Sequence, residues 1–177
     1  MNTKRILIVI DMQNDFVDGS LGTPEAKAIV MNVREKIFDY RTSNNNYIYY
    51  TQDTHYENYL NTLEGKKLPV EHCINKTTGW EIVPDLRVHL RVNGELRLKE
   101  TFGYTNWENV LGYEKEIGHI ELVGLCTDIC VISNALILRA LYPNTRIFVD
   151  SKCCAGTTPE KHEAALKVME SCQIDII

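Results

Sequence analysis

The segment RILIVID, residues 5–11, places five consecutive large apolar residues directly before a carboxylate. A continuous apolar run of this length is typical of a strand that is buried on both faces of a parallel sheet. Further short apolar runs alternate with longer helical stretches, so the predicted strands are Arg5–Ile10, Tyr47–Thr51, His119–Gly124 and Arg146–Val149. We therefore predict an α/β fold in which helices cover both faces of a mainly parallel sheet.

Two Thr-Pro-Glu tripeptides predict helix starts, with Thr23 and Thr158 as N-caps and a proline in each first turn. The apolar stretch from Cys130 to Leu141 predicts a central helix that is buried nearly all round. Between residues 57 and 107 the pattern is less regular, and Val92–Glu95 is interpreted as a turn between short strands. The first predicted helix carries its apolar residues on one face: Ala26, Ile29, Val30, Val33 and Ile37.

Composition limits the class of protein. The chain has 177 residues, 44% of them hydrophobic and 24% charged, which predicts one domain spanning residues 1–177. The net charge of −5 and the absence of a long basic run argue against nucleic acid or an anionic membrane as partner. Ile6–Ile10 is too short for a signal or membrane segment, and the six cysteines include no CxxC pair. We therefore expect a cytoplasmic protein with free thiols.

Polar residues close the predicted strands. Asp11 follows the first strand, Asp53 follows the second, and Cys130 lies between a strand and an apolar helix. Functional groups of parallel sheets gather at the carboxyl ends of the strands, and a helix N-terminus favours the thiolate form of cysteine. Taken one at a time, these carboxylates are equally compatible with turn or cap residues, and the cysteine with a small core residue.

In combination, IDMQNDF (residues 10–16), Lys99 and GLCTDICV (residues 124–131) resemble the isochorismatase-like cysteine hydrolases, a family that includes the nicotinamidases. The resemblance covers essentially the whole chain, in order and spacing. It implies a three-layer α/β/α sandwich with a mainly parallel sheet, and a catalytic triad of Asp11, Lys99 and Cys130. The alternative for Lys99, which has the least specific local motif, is a solvated strand end.

The same resemblance implies an oxyanion hole made by the backbone N–H groups of Cys126 and Cys130, with a cis peptide between Leu125 and Cys126. It also implies substrate contacts from Phe16 and Leu125. The chemistry needs such a set because a neutral thiol is a weak nucleophile. Asp11 would accept the proton of Cys130 and pass it to the leaving ammonia, and water would then hydrolyse the thioester.

A second polar group follows the second strand. Asp53 and His55 alternate in an extended segment and so point the same way, and Glu64 and His72 follow. Solvent-facing histidines in a polar loop are one interpretation. The resemblance to nicotinamidases instead implies a metal site of Asp53, His55 and His72. Glu64 is a candidate fourth ligand, with a solvated loop carboxylate as the alternative. Oxygen and imidazole ligands suit one divalent Zn, Fe or Mn ion, which would bind the pyridine nitrogen of nicotinamide.

Three functions follow from these features. The first is nicotinamidase-like hydrolysis of a small amide, the second is another small-amide or isochorismatase-type hydrolase, and the third is a silent binding module. The sequence departs from the nicotinamidase pattern at Thr54 and Tyr56, where Trp and Pro are common, which bears on the substrate more than on the chemistry. Phe102, Tyr104 and Trp107 are expected either to line the pocket or to pack against a second copy in a homo-oligomer.

Overall fold

A computed structural model of the chain describes residues 3–42 and 45–177. A six-stranded sheet with the order β3-β2-β1-β4-β5-β6 forms its centre, and every neighbouring pair of strands is parallel. The strands are β1 (Lys4–Ile10), β2 (Asn46–Asp53), β3 (Gly94–Lys99), β4 (Ile117–Leu125), β5 (Arg146–Ala155) and β6 (Asp175–Ile176).

Helices connect these strands, as parallel pairing requires. Both predicted threonine caps are confirmed, because Thr23 and Thr158 accept hydrogen bonds from the backbone N–H groups of Ala26 and Lys161. The helices are α1 (Asn14–Val17), α2 (Pro24–Arg41), α3 (Leu63–Lys67), α4 (Pro84–Asn93), α5 (Trp107–Leu111), α6 (Ile132–Leu141) and α7 (Pro159–Ser171). Short 3-10 turns span Tyr59–Asn61 and Glu114–Glu116, and a π-helical turn spans Thr127–Val131.

The sheet separates two apolar cores. On one face, Ala26, Val33 and Ile37 of α2 and Leu86 of α4 pack with buried residues of β1 and β2. On the other face, residues of α5, α6 and α7 pack against the central strands, with Trp107 fully buried among them. This arrangement confirms the predicted three-layer α/β/α sandwich.

Several local predictions are wrong. Val92–Glu95 is not a turn between strands, because α4 continues to Asn93 and β3 begins at Gly94. The helix expected from Cys130 begins as a π-helical turn and becomes α-helical at Ile132. That helix is not buried all round either, since Leu136 is 37% exposed. β3 was expected only as an unplaced short strand after the predicted turn, and β6 was not predicted.

The strand order places the functional residues together. The adjacent strands β3, β2, β1 and β4 are parallel, so their carboxyl ends meet at one edge of the sheet. Lys99 ends β3, Asp53 ends β2, and Asp11 directly follows β1. Within the described residues, no helix is both long and apolar enough to cross a membrane.

Candidate active site

Lys99 lies at the centre of a buried polar cluster. Its Nζ atom is 2.6 Å from Oδ2 of Asp11, 3.2 Å from Oδ1 of Asp53 and 3.6 Å from Sγ of Cys130. The side chain of Lys99 is 1% exposed and that of Asp11 is fully buried. The structure thus brings together the three residues predicted as a triad, with Asp53 as an additional neighbour.

Asp11 is fixed by its position after β1. Its φ of +44° is uncommon for a residue with a side chain. Thr51 of the neighbouring strand β2 holds this conformation, because its hydroxyl accepts the backbone N–H of Asp11 at 3.2 Å and donates to Oδ1 at 2.7 Å. The second oxygen, Oδ2, therefore faces Lys99.

Cys130 is positioned by the turn that links β4 to α6. The peptide bond between Leu125 and Cys126 is cis, as the family resemblance implied. Gly124 permits β4 to approach β1 here, since a Cβ atom at this residue would lie 2.1 Å from the carbonyl oxygen of Ile10. Cys126 is the N-cap of the helical segment that follows, and Cys130 lies in its first turn, where backbone N–H groups lack earlier helical partners. Such a turn can bind an oxyanion.

Burial and charge set the protonation states of the cluster. Burial raises the pKa of Asp11, although the Lys99 ammonium opposes this shift. Burial would lower the pKa of Lys99, but Asp11, Cys130 and Asp53 together raise it well above its ordinary value. Burial also raises the pKa of Cys130 well above its ordinary value, against the effect of Lys99. From the sequence, the helix N-terminus was expected to favour the thiolate, whereas the burial of Cys130 favours the neutral thiol.

Four side chains of the predicted metal site converge beside this cluster. The Nε2 atom of His55 lies 3.0 Å from Oδ2 of Asp53 and 3.6 Å from Oε1 of Glu64. The Nε2 atom of His72 lies 3.8 Å from Oδ2 of Asp53 and 3.7 Å from Oε1 of Glu64. The ligand atoms of Asp53, His55 and His72 are all within 4.8 Å of one another.

These residues fit a divalent ion. Ligand atoms placed about 2.0–2.2 Å from a tetrahedral centre lie about 3.4 Å apart, and the four distances given above range around that value. The Nδ1 atom of His72 is 2.8 Å from the carbonyl oxygen of Val70, which orients the ring and leaves Nε2 for the ion. Asp53 belongs to both groups, because Oδ1 contacts Lys99 while Oδ2 faces the histidines.

Sequence reasoning missed residues that hold the site in place. The side chain of Gln13 accepts the backbone N–H of Asp53 and donates to its carbonyl oxygen, both at 2.8 Å. Asp15 accepts the backbone N–H of Cys73 at 2.7 Å and so anchors the loop that carries His72. The one available signal was the place of both residues in the motif IDMQNDF, close to Asp11, where neither had an assigned role.

Asn134 is a further missed residue. Its Nδ2 donates to the carbonyl oxygen of Cys130 at 2.8 Å, and its Oδ1 accepts the Nε1–H of Trp107 at 2.9 Å. A polar amide within the mostly apolar helix α6 was the signal that could have found it. The same contact corrects the expectation for Trp107, which is fully buried in the core and not part of a pocket or a surface. Tyr104 packs on its ring at 4.8 Å.

A cavity of about 720 Å³ opens onto both groups. Phe16 and Leu125, the predicted substrate contacts, lie in its wall together with Cys126 and Cys130. The ring of Phe16 is also 5.5 Å from that of His72. Phe102 lines the same cavity, in agreement with one of the two expectations for it. A ligand in this space would contact the thiol and the candidate metal ligands together.

An α/β sandwich with a buried thiol, carboxylate and ammonium at the carboxyl edge of its sheet defines a cysteine-hydrolase type of architecture. The comparisons with known proteins specify it further: the Isochorismatase domain model matches residues 5–177. The chain therefore belongs to the isochorismatase family.

Relatives from three organisms match over nearly their full length. An isochorismatase family protein of Bacillus subtilis is 30% identical over 173 residues, covering 92% of each chain. A nicotinamidase of Schizosaccharomyces pombe is 26% identical, covering 97% of this chain and 91% of the relative. The crystal structure of a pyrazinamidase of Pyrococcus horikoshii in complex with zinc has a TM-score of 0.82 at 29% identity, covering 98% of both chains.

Proposed function

We propose that this protein is a metal-assisted cysteine amidohydrolase that converts nicotinamide and water to nicotinate and ammonia. The observation that carries the proposal is the shared cavity, in which the thiol of Cys130 and the ligand cluster of Asp53 and His72 face one ligand space. Its small-molecule partner is an amide, in keeping with relatives named nicotinamidase and pyrazinamidase.

In the first half of the reaction Asp11 acts as the base. Burial holds Cys130 as a neutral thiol, so its proton must leave as the sulfur attacks the amide carbon. The raised pKa of Asp11 brings this carboxylate closer to the thiol in proton affinity than an ordinary aspartate. Lys99 stays protonated throughout and offsets the negative charge that develops between Asp11 and Cys130.

The tetrahedral intermediate carries a negative oxygen, which accepts hydrogen bonds from the backbone N–H groups of Cys126 and Cys130. Asp11, now protonated, donates its proton to the amide nitrogen, and ammonia leaves while a thioester on Cys130 remains. A water molecule then attacks the thioester, Asp11 takes one of its protons, and nicotinic acid is released as the sulfur recovers that proton from Asp11. The acid passes its own proton to ammonia, which leaves nicotinate. Each half of the reaction returns Asp11 and Lys99 to their starting protonation states.

The ligand cluster and Phe16 orient the substrate. A divalent ion held by Asp53, His55, Glu64 and His72 would supply a Lewis acid for the pyridine nitrogen of nicotinamide. The ring of Phe16, next to that of His72, offers an aromatic surface for the pyridine ring. Zn, Fe and Mn all suit this donor set.

Ammonia release from nicotinamide and from benzamide, with each metal added in turn, tests the proposal. The two amides differ only in the ring nitrogen, so we expect strong preference for nicotinamide in the native chain and loss of that preference in His72→Ala. Consumption of isochorismate without release of ammonia from any amide would replace the proposal with an isochorismatase-type reaction. Tight amide binding without turnover would indicate a silent binding module.

A further inference from the structure

We propose that the same cavity accepts a second class of substrate, aromatic amides larger than nicotinamide that carry an anionic group, held by Lys67 and Lys161. This inference rests on the proposed amidohydrolase function. It concerns the residues of the cavity wall that the mechanism does not use.

The size of the cavity is the first observation. Its volume of about 720 Å³ is within the range of about 300–1,000 Å³ that encloses drug-sized ligands, whereas nicotinamide is a single ring with one carboxamide. Cys130 and the ligand residue His72 fix where the amide and the ring lie. The wall residues that the mechanism leaves unused include Leu21, Leu68, Phe102 and the two lysines, so a longer molecule has further wall to contact.

The balance of charge is the second observation. Lys67, in the last turn of α3, and Lys161, in the first turn of α7, line the cavity from different elements. Neither ammonium has an ion-pair partner among residues 3–42 and 45–177. The acidic groups that face this space, Asp53 and Glu64, belong to the ligand cluster.

With a divalent ion bound, the positive charges of Lys67 and Lys161 would have no compensating negative charge in the catalytic cluster. The negative charges of Asp11, Asp53 and Glu64 are then matched by the ammonium of Lys99 and the two charges of the ion. The catalytic cluster is thus neutral, and the two lysines leave the cavity with a net positive charge. A neutral amide gains nothing from that field, whereas an anionic group gains favourable Coulomb energy.

Among the described residues that line the cavity, no carboxylate outside the ligand cluster competes for the charge of Lys161. Asp128 lies behind Thr157, whose backbone N–H and hydroxyl donate to the two carboxylate oxygens at 2.8 and 2.6 Å. Thr157 lines the cavity, and Asp128 does not. Its carboxylate is therefore directed toward the loop before α7.

The test compares nicotinamide with derivatives that carry a carboxylate on the ring, directly or through a short alkyl arm, and with their neutral methyl esters. The quantity measured is the ratio of kcat/KM for each anionic amide to that for its ester. In the double variant Lys67→Met/Lys161→Met we expect this ratio to fall about 3- to 30-fold, the scale of two exposed ion pairs. The effect resides in KM and weakens as salt rises.

The matched control is Lys66→Met/Lys167→Met, which removes two exposed lysines from the same helices outside the cavity. We expect it to leave the ratio unchanged. Equal ratios in the cavity double variant and the wild type, with nicotinamide still hydrolysed, would overturn this inference and leave the proposed function standing.

Binding to the Cys130→Ala variant, measured by calorimetry, separates the two proposals when no amide is hydrolysed. Turnover of no amide by the wild type would overturn the proposed function. Tighter binding of the anionic amide than of its ester, abolished by the two lysine substitutions, would still support the anion site. Equal binding of acid and ester would reject it.

Discussion

The substitution Lys99→Met removes one charge from the centre of the proposed site while keeping most of the side-chain length. In the native chain this ammonium is 2.6 Å from Asp11 and 3.2 Å from Asp53. All three side chains are at most 5% exposed. The variant therefore buries two carboxylates without their shared cation.

The expected cost is large. Removing one partner of a buried ion pair typically destabilises a protein by about 3–5 kcal/mol, whereas an exposed pair contributes at most about 1 kcal/mol. We expect the larger value near neutral pH. The sign of the pH dependence follows from Asp11, whose pKa in the folded chain is raised and rises further once Lys99 no longer lowers it. The folded variant binds a proton more readily than the unfolded chain, so its stability increases as pH falls toward the ordinary aspartate pKa of 3.8.

Activity should fall with stability but for a separate reason. Loss of a positioned charge or proton-transfer partner lowers kcat by about 100- to 1000-fold, and we expect this range for Lys99→Met. The double variant Asp11→Asn/Lys99→Met removes the orphaned charge as well, so it should recover part of the stability and none of the activity. This non-additivity of the two substitutions identifies the broken ion pair as the origin of the lost stability.

Urea unfolding measures the stability of each variant at neutral and acidic pH, and ammonia release measures kcat. Lys66→Met, at an exposed residue of α3, serves as the control and should match the wild type in both assays. A cost below about 1 kcal/mol for Lys99→Met, or an unchanged kcat, would refute the assignment of Lys99 to the buried cluster.

Four further outcomes are expected. Cys130→Ala should abolish ammonia release at near-native thermal stability. The control Cys172→Ala, which alters a thiol outside the cavity, should stay active. Residual turnover in Cys130→Ala would exclude a thioester. His72→Ala should reduce the bound divalent ion well below one per chain by elemental analysis and raise KM for nicotinamide; full ion content would remove His72 from the ligand set. Because burial raises the pKa of Asp11 and only its carboxylate accepts a proton, kcat/KM should decline on the acid side with an inflection above 3.8; a profile that stays flat to about pH 4 would contradict this base. Asn134→Leu leaves the Trp107 N–H without its acceptor and should lower the free energy of unfolding by about 1–3 kcal/mol in urea; a neutral effect would mean that this hydrogen bond is not retained.

The sequence predicts the central strands best because burial on both faces makes them continuously apolar. β1, β4 and β5 were found from such runs, although the observed strands extend further at their ends. β3 was not placed because this edge strand, GELRLK, mixes charged and apolar residues. β6 has only two residues and lacks any periodic pattern.

The site was predictable to the extent that its residues end strands or match a family motif. Asp11 and Lys99 are in this class, and parallel pairing alone brings their strand ends to one edge. The supporting contacts were not predictable, because Gln13, Thr51 and Asn134 act through neighbours that only the folded chain supplies. The protonation state of Cys130 was also beyond the sequence, since it depends on how completely the thiol is buried.

The meeting of four strand ends at one edge has a consequence for how activity is acquired during folding. Lys99 is 46 residues from Asp53 and 31 residues from Cys130, so none of these contacts is local in the chain. Closing such loops costs entropy before any contact compensates for it. A hairpin, a single helix or any partly folded segment therefore holds no version of this site. Activity therefore requires that the central strands of the sheet are all paired. The rate of turnover during refolding then measures the fraction of molecules that have finished folding.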